Sequence, residues 1–271
     1  MSSLVDVDRV AQLITEVAAE EILPRFTKLA LGDVREKGPG DLVTIADEAV
    51  ERRLAPALSA MLPDSVVLGE EAAAHDPAVM DLLDDPAPVW VIDPIDGTAN
   101  FAEARGDFGV MVSLIQAGQT LAAWIHDPRR AAMAQAELGG GAWLDGRRLR
   151  VAKPPADPAE LSGALLAGFH GDPKLGQRVH RRRNSVRAVK SLRCAAAEYV
   201  RLAEGRIDFV LWSKLMPWDH AAGVLLHGEA GGYNAYLDGG RYVPMRTKAP
   251  GLMLAPDEAS WQALYKRLIA P

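Results

Sequence analysis

The chain has 271 residues, 49% of them hydrophobic and 24% charged, with a formal net charge of −6 at pH 7. This composition is typical of a globular protein with a soluble surface, and the negative charge argues against a dedicated binder of nucleic-acid polymers. The sequence contains no run of about 18 apolar residues, so it predicts no membrane span. A single cysteine excludes an internal disulfide framework, and the N-terminus does not resemble a signal peptide, so we expect a cytoplasmic protein.

The first quarter of the chain predicts two helices and a strand. Apolar residues recur at helical spacing between residues 6 and 30, and again from Asp41, which we expect to open a second helix that extends to about residue 61. The intervening residues 32–40 are rich in glycine and predict a mobile loop. Residues 66–71 combine an apolar run with two glutamates, which indicates a strand that ends in acids.

The most informative stretch lies between residues 89 and 101. It opens with an apolar, β-branched run typical of a buried strand, which we expect to end at Asp93 because Pro94 has no N–H for the ladder. A second carboxylate follows at Asp96, and Gly97-Thr98 places small residues at an expected helix start. Hard anionic ligands beside exposed backbone N–H groups favour a joint site for a divalent cation and a phosphate.

Each aspartate alone also fits a simpler interpretation, a proline turn followed by a helix N-cap. Two further acidic signals change this balance. The upstream strand ends in Glu70 and Glu71, and downstream Asp219 follows Trp218 in the expected first turn of a helix. Three elements that each carry acids can converge at one edge of a sheet, where clustered negative charge requires cations.

The middle of the chain predicts a sheet, and the last part predicts alternating strands and helices. Residues 108–144 contain turns at a density typical of an antiparallel meander. The Pro-rich residues 153–162 form the candidate linker between an N-terminal α+β region, residues 1–152, and a C-terminal α/β region, residues 153–271. The C-terminal strands are expected near 163–168, 186–190, 207–211 and 251–255, and the helices near 173–184, 194–205, 217–230 and 257–269.

In four motifs the chain resembles the inositol monophosphatase family, whose members are magnesium-dependent, lithium-sensitive phosphatases. The motifs occur in the family's order and are Asp41-Leu42-Val43-Thr44 with Asp47, Gly69-Glu70-Glu71, Asp93-Pro94-Ile95-Asp96-Gly97-Thr98, and Trp218-Asp219. The resemblance covers nearly the whole chain. It implies a layered αβαβα sandwich of the inositol monophosphatase and fructose-1,6-bisphosphatase type, and a homodimer.

The same resemblance implies a phosphoric monoester hydrolase that uses two or three Mg²⁺ ions per active site and forms no covalent phospho-enzyme. Asp47 and Thr98 would together hold and deprotonate the attacking water. The implied metal ligands are Glu70, Asp93, the carbonyl of Ile95, Asp96 and Asp219. The implied substrate contacts are Asp93, Gly97, Thr98, Ala195 and Asp219.

The segment implied to select the substrate departs from the family members that cleave inositol phosphates. Those members carry a glutamate six residues before the tryptophan of the Trp-Asp pair, whereas this chain carries Trp212. They also have glycine and threonine before the alanine that contacts the sugar, where this chain has Arg193 and Cys194. An aromatic plane and an added cation favour a substrate with more negative charge or with a flat group.

The leading hypothesis is therefore Mg²⁺-dependent hydrolysis of a small phosphorylated metabolite. Histidinol phosphate and nucleotide or sugar bisphosphates are alternative substrates. The basic residues between Arg178 and Arg193 favour keeping a bisphosphate among the candidate substrates, although an exposed helix face explains these residues as well. A protein that binds a phosphorylated ligand without catalysis is the alternative from another class. We expect His220 to pack or hydrogen-bond locally rather than bind metal, and His227 to be structural.

Overall fold

Helices and sheets alternate in layers in a computed structural model that describes residues 4–38, 40–165 and 172–271. The first outer layer consists of two helices, α1 (Val7–Glu21) and α2 (Ile45–Met61). The carboxylate of Asp6 caps α1 by accepting hydrogen bonds from two backbone N–H groups of its first turn. Buried apolar residues at helical spacing on α1 and α2 then pack against the sheet of the next layer.

A β-hairpin occupies the region between these helices, where the sequence predicts a mobile loop. Its antiparallel strands are β1 (Val34–Gly38) and β2 (Asp41–Thr44), and Pro39 of the predicted loop lies outside the described residues. The predicted start of the second helix at Asp41 is wrong. Thr44, not Asp41, caps the helix, because its hydroxyl accepts from the N–H of Ala46 while its own N–H donates to Asp47.

The larger sheet has seven strands in the order β3-β4-β5-β6-β7-β8-β9. The strands are β3 (Val66–Gly69), β4 (Val89–Asp96), β5 (Gly109–Gln116), β6 (Gln119–Asp127), β7 (Ala132–Glu137), β8 (Gly141–Leu144) and β9 (Arg147–Arg148). Only the β3–β4 pair is parallel, and the others form the meander that the turns predict. Helix α3 (Glu70–His75) and a 3₁₀ turn (Pro77–Asp84) connect β3 to β4, and α4 (Thr98–Ala102) follows β4.

The smaller sheet has five strands in the order β11-β10-β12-β14-β13. The strands are β10 (Ser162–Leu165), β11 (Arg187–Val189), β12 (Phe209–Trp212), β13 (Tyr233–Tyr236) and β14 (Leu252–Ala255). The helices of this half are α5 (Pro173–Arg182), α6 (Ala195–Ala203), α7 (Pro217–Glu229) and α8 (Glu258–Leu264), which a π turn (Tyr265–Ile269) extends. Of the predicted strand 163–168, residues 166–168 lie outside the described residues.

Apolar cores join the described elements into five layers. Helices α1 and α2 pack on one face of the larger sheet, α6 and α7 lie between the two sheets, and α5 and α8 cover the far face of the smaller sheet. The predicted αβαβα sandwich is confirmed. The division near residue 153 stays a prediction, because the core around α6 and α7 contains residues of both sheets. No described helix is both long and apolar enough to cross a membrane.

His227 is an unusual member of the central layer. It is fully buried in α7, and neither ring nitrogen has a hydrogen-bond partner among the described residues. Gly232 crosses its ring so closely that a Cβ atom there would lie 2.1 Å from Cε1. Burial lowers the pKa of His227 to about 3, so the ring is neutral throughout the physiological range.

Replacing His227 by leucine should remove an acid-sensitive loss of stability. The unfolded histidine takes up a proton below about pH 6.5, whereas the folded one does so only near pH 3. Protonation therefore stabilises the unfolded state, and the free energy of unfolding of the wild type decreases as the pH falls below 6.5. The free energy of unfolding of His227→Leu, relative to that of wild type, should therefore increase by about 2 kcal/mol between pH 7 and pH 5. Urea unfolding at both pH values measures this difference, and an equal gain at both would contradict it.

Candidate metal and phosphate site

A β-bulge in β4 brings Asp93 and Asp96 to the same side of the sheet. Asp93 pairs with Met111 and Asp96 with Gly109, so three steps along β4 match two steps along β5. Residues three apart on a regular strand would face opposite sides. The expectation that the strand ends at Asp93 is therefore wrong, because the bulge accommodates the missing N–H of Pro94 within the strand.

Neighbouring elements bring further acids to this edge of the sheet. In the parallel pair, Gly69 lies level with Ile92, so Glu70, which directly follows β3, comes next to Asp93 within β4. Asp219 comes from the first turn of α7, with Pro217 at the first helical position. The carboxylates of Asp93, Asp96 and Asp219 offer oxygens that all lie within 4.8 Å of one another.

This acidic triad, Asp93, Asp96 and Asp219, has the donor chemistry of a site for a hard cation. Asp93 is 1% exposed, and its Oδ1 has no hydrogen-bond partner among the described residues. Burial raises the pKa of Asp93 and of Asp219 well above the usual range, and the charges of Glu70 and Asp96 raise both further. Desolvated carboxylates at this separation repel one another, so a bound divalent cation fits the residues present.

Glu70 lies outside the triad and instead pairs with Lys37 on β1. The Lys37 ammonium is 2.8 Å from Oε1 of Glu70 and 2.9 Å from Oε1 of Glu71, and only 14% of the lysine side chain is exposed. Burial alone would lower the pKa of Lys37, but the two carboxylates outweigh it and raise that pKa. The hairpin thus supplies a cation beside the triad that sequence reasoning missed, since no local motif marks Lys37.

Backbone and sulfur groups of α6 satisfy part of the charge at Asp96. The N–H of Ala196 donates to Oδ2 of Asp96 at 2.7 Å, and Sγ of Cys194 lies 3.8 Å from its backbone carbonyl oxygen. Cys194 is the N-cap of α6, and Ala195 is buried at the first helical position. Burial raises the pKa of the Cys194 thiol well above its usual range, so it is a packed helix cap rather than a nucleophile.

Asp47 and Thr98 meet next to the triad. Oδ2 of Asp47 accepts the N–H of Thr44 at 2.8 Å, while Oδ1 lies 3.3 Å from the hydroxyl of Thr98. That hydroxyl is also 2.9 Å from the carbonyl oxygen of Ile95. Burial raises the pKa of Asp47 to about 7, which is the range of a general base that works at neutral pH.

Gly97 and Asn100 shape the approach to the site. Gly97 has a φ of 84°, and a Cβ there would lie 2.9 Å from the carbonyl oxygen of Asp107, so only glycine fits. The side-chain amide of buried Asn100 donates to the carbonyls of Asp107 at 2.7 Å and Leu192 at 2.9 Å. Asn100 thereby ties the segment before α6 to α4, a role that its position next to the central motif alone did not reveal.

Both ring nitrogens of His220 have local partners. Nδ1 is 2.9 Å from the hydroxyl of Tyr199, and Nε2 is 2.8 Å from the carbonyl oxygen of Lys214. The rings of Tyr199 and Trp212 stack with their centroids 5.5 Å apart. Trp218 is buried in an apolar cluster with residues of β3 and β4. The interpretation of His220 as locally bonded, and of Trp218 as a packing residue, agrees with these contacts.

The basic residues between Arg178 and Arg193 divide into two groups. Arg178 and Arg182 donate to the carbonyl oxygens of Ile269 and Ala270, at 2.6 and 2.5 Å, and so fasten the C-terminal segment to α5. The remaining cations are exposed and form no ion pair with the described part of the chain. They are Arg181, Arg183, Arg187, Lys190 and Arg193.

Comparisons with known proteins agree with this geometry. A profile of the inositol monophosphatase family matches residues 3–270. An inositol-1-monophosphatase of Mesorhizobium japonicum is 34% identical over 243 residues, which cover 87% of this chain and 85% of that protein. The Nus factor SuhB of Escherichia coli is 32% identical over 214 residues, covering 77% and 76%. The crystal structure of the extragenic suppressor protein suhB of Bartonella henselae matches with a TM-score of 0.82 at 26% identity, covering 97% of this chain and 98% of that one.

The layered sandwich and its acidic edge place the chain among the metal-dependent phosphatases. It belongs to the inositol monophosphatase family, whose members hydrolyse phosphate monoesters, and the predicted enzyme class is confirmed.

Asp93→Asn should stabilise the protein when metals are removed, since it deletes one of several mutually repelling carboxylates. A carboxyl whose folded pKa is raised contributes stability at low pH that is lost as the pH rises. We therefore expect a gain of about 1–2 kcal/mol at pH 8 and a smaller one at pH 5 in EDTA. Urea unfolding measures both values, and lower stability of the variant at pH 8 would contradict the expectation.

Proposed function

We propose that the protein is a Mg²⁺-dependent phosphomonoesterase that hydrolyses a small phosphorylated metabolite with an activated water. The observation that carries this proposal is the acidic triad, in which three carboxylates from two elements lie within 4.8 Å and one buried oxygen of Asp93 has no hydrogen-bond partner in the described ranges of the chain. Membership of the inositol monophosphatase family supports the same reaction class.

The donor set favours magnesium over zinc, because it consists of carboxylate and carbonyl oxygens without a free imidazole or thiolate. We assign the metal ions to Glu70, the triad, and the carbonyl of Ile95. Bound Mg²⁺ would screen the charge of the ester and lower the pKa of the attacking water. For Glu70 to join the site, its contact with Lys37 must open or adjust.

Asp47 and Thr98 are assigned to the attacking water. The free side of Asp47 faces the Thr98 hydroxyl, and the other oxygen is held by the helix cap at Thr44, so the carboxylate is oriented before substrate arrives. Asp47 accepts the proton from the water, either directly or through the hydroxyl. The backbone N–H groups of Gly97 and Thr98 are assigned to the phosphate oxygens.

Two residues of the segment before α7 and of the α6 cap bear on the choice of substrate. Trp212 is buried and stacks on Tyr199, so this position offers no hydrogen-bond acceptor to ring hydroxyls, and Arg193 adds an exposed cation beside the α6 cap. These residues favour a bisphosphate or another strongly anionic monoester over inositol phosphate. Ala195 is assigned to the substrate's organic part. Histidinol phosphate fits less well because its amine would meet Arg193.

We also propose a cytoplasmic homodimer that is inhibited by lithium. The homodimer and the lithium sensitivity rest on family resemblance alone. A cytoplasmic location is supported by the single cysteine, which is buried and unpaired, since such thiols are typical of reducing compartments.

Asp93→Asn should abolish magnesium-dependent phosphate release, because the variant loses the buried carboxylate that contacts the cations. Wild type should release phosphate only with Mg²⁺, and the variant should be slower by at least about 10³-fold. A malachite-green assay on inositol 1-phosphate, histidinol phosphate, fructose 1,6-bisphosphate, 3′-phosphoadenosine phosphate and NADP measures this.

The matched control is Asp81→Asn, the same exchange at an exposed residue on the 3₁₀ turn, which should turn over like wild type. Full activity of Asp93→Asn would refute the assignment. Tight binding of these ligands by wild type without any turnover would instead favour a binding protein without catalysis.

Asp47→Asn should remove most of the activity. It should also remove the decline of kcat/KM at acid pH. Wild-type kcat/KM should fall as the pH drops through about 7 or somewhat lower, because protonated Asp47 cannot accept a proton and bound cations favour its ionised form. The variant should lose about 10²–10⁴-fold at the optimum. Glu48→Gln, on the next residue of the helix, is the control. An unchanged acid limb in Asp47→Asn would assign the proton transfer elsewhere.

A further inference from the structure

A lysine with no assigned role lies at the mouth of the site. Lys214 belongs to the connection between β12 and α7, the helix that carries Asp219. Its side chain is 69% exposed, and its ammonium is 3.8 Å from Oδ2 of Asp41 on the hairpin. Lys214 lies five residues before Asp219 in the chain, and the hairpin that its ammonium reaches also carries Lys37, the partner of Glu70. An exposed ammonium thus lies between the segment that leads to Asp219 and the hairpin that contacts Glu70.

Buried side chains hold the backbone of Lys214 in place. Its carbonyl oxygen accepts a hydrogen bond from Nε2 of His220 at 2.8 Å, so the proton of the neutral ring is on Nε2. Nδ1 is then an acceptor for the hydroxyl of Tyr199 at 2.9 Å. Tyr199 and His220 are 0% and 1% exposed. An exposed lysine side chain is thus attached to a backbone that the core positions.

The partner of Lys214 in the structure is replaceable. Its contact with Asp41 is long, and the side chain of Asp41 is 46% exposed, so water screens the pair and it contributes little. Trp212, the last residue of β12 before this connection, packs its ring against that of His220, with the ring centroids 5.0 Å apart. A ligand anion can therefore exchange with Asp41 for the ammonium without breaking a buried contact.

We propose that Lys214 is a specificity-determining residue that binds a second anionic group of the substrate, and that Tyr199 and His220 position it. This inference rests on the proposed phosphatase function and narrows its substrates to monoesters that also carry a carboxylate or a second phosphate. The scissile phosphate is bound at the triad, and the second anion contacts Lys214 at the mouth. The charge of Lys214 then discriminates between ligands that differ only in that group.

Two matched ligand pairs test the role of Lys214. The pairs are 3-phosphoglycerate with glycerol 3-phosphate, and fructose 1,6-bisphosphate with fructose 1-phosphate. Each is measured as a competitor of p-nitrophenyl phosphate hydrolysis in the Mg²⁺-loaded enzyme. In Lys214→Met, the inhibition constant of the more anionic member of at least one pair should rise about tenfold. The constant of its partner should change less than about twofold. Lys153→Met, at an exposed lysine of the linker, is the control.

Equal effects of Lys214→Met on both members of each pair, or no effect on any ligand, would overturn the proposal. If wild type does not hydrolyse p-nitrophenyl phosphate with Mg²⁺, the phosphatase proposal is what fails for this ester. Calorimetric titration of the same four ligands into the Mg²⁺-loaded protein then still tests Lys214 by the same ratios.

The positioning role of His220 has its own matched controls. His220→Leu should lose the discrimination within the pair, whereas His220→Gln should retain it, because an amide can donate to the Lys214 carbonyl from the place of Nε2. His227→Leu changes an equally buried histidine of the same helix whose ring has no hydrogen-bond partner in the part of the chain that the structure describes, and it should keep wild-type discrimination. If His220→Leu does not fold, Tyr199→Phe removes only one hydroxyl and should weaken the discrimination in part. Unchanged discrimination in both His220→Leu and Tyr199→Phe would contradict the role.

Discussion

Negative charge crowded at one edge of the larger sheet is the constraint on which the other features depend. Asp93, Asp96 and Asp219 face one another in a desolvated space, where mutual repulsion is strong. Part of the charge is balanced by the first turn of α6, whose N–H groups point at Asp96. Lys37 balances Glu70 and Glu71 next to it. The remaining imbalance is what a divalent cation would neutralise.

The same atoms serve both the fold and the proposed chemistry. Asp47 completes the cap of α2 with one oxygen and faces Thr98 with the other, so the start of a core helix also orients a candidate base. Asn100 and His220 act similarly at the periphery, since each is a buried side chain that holds the backbone of a site-lining segment. A site built in this way gains rigidity because its supports belong to the hydrophobic layers.

Local signals predicted most helices, through apolar periodicity, and the main acids, through the short motifs around Asp93 and Asp219. The order of the layers does not follow from local signals and was implied by the family resemblance. The hairpin and the true start of α2 were missed because pairing across a turn outweighed the helical pattern from Asp41. Lys37, Asn100 and the contact between His220 and Lys214 were missed for another reason. Each depends on residues that are distant in sequence or on a backbone carbonyl, which no pattern of side chains records.

The bulge in β4 makes the spacing of its acids a matter of chain length rather than of composition. Asp96 faces Asp93 only because one extra residue is inserted opposite β5. A one-residue insertion on the partner strand, between Gly109 and Met111, would match three steps with three, restore regular alternation and turn Asp96 toward the opposite layer, even if every acid were retained. Length variation is therefore expected to be tolerated least around Val110, opposite the bulge, where a conservative replacement of the side chain would still preserve the geometry.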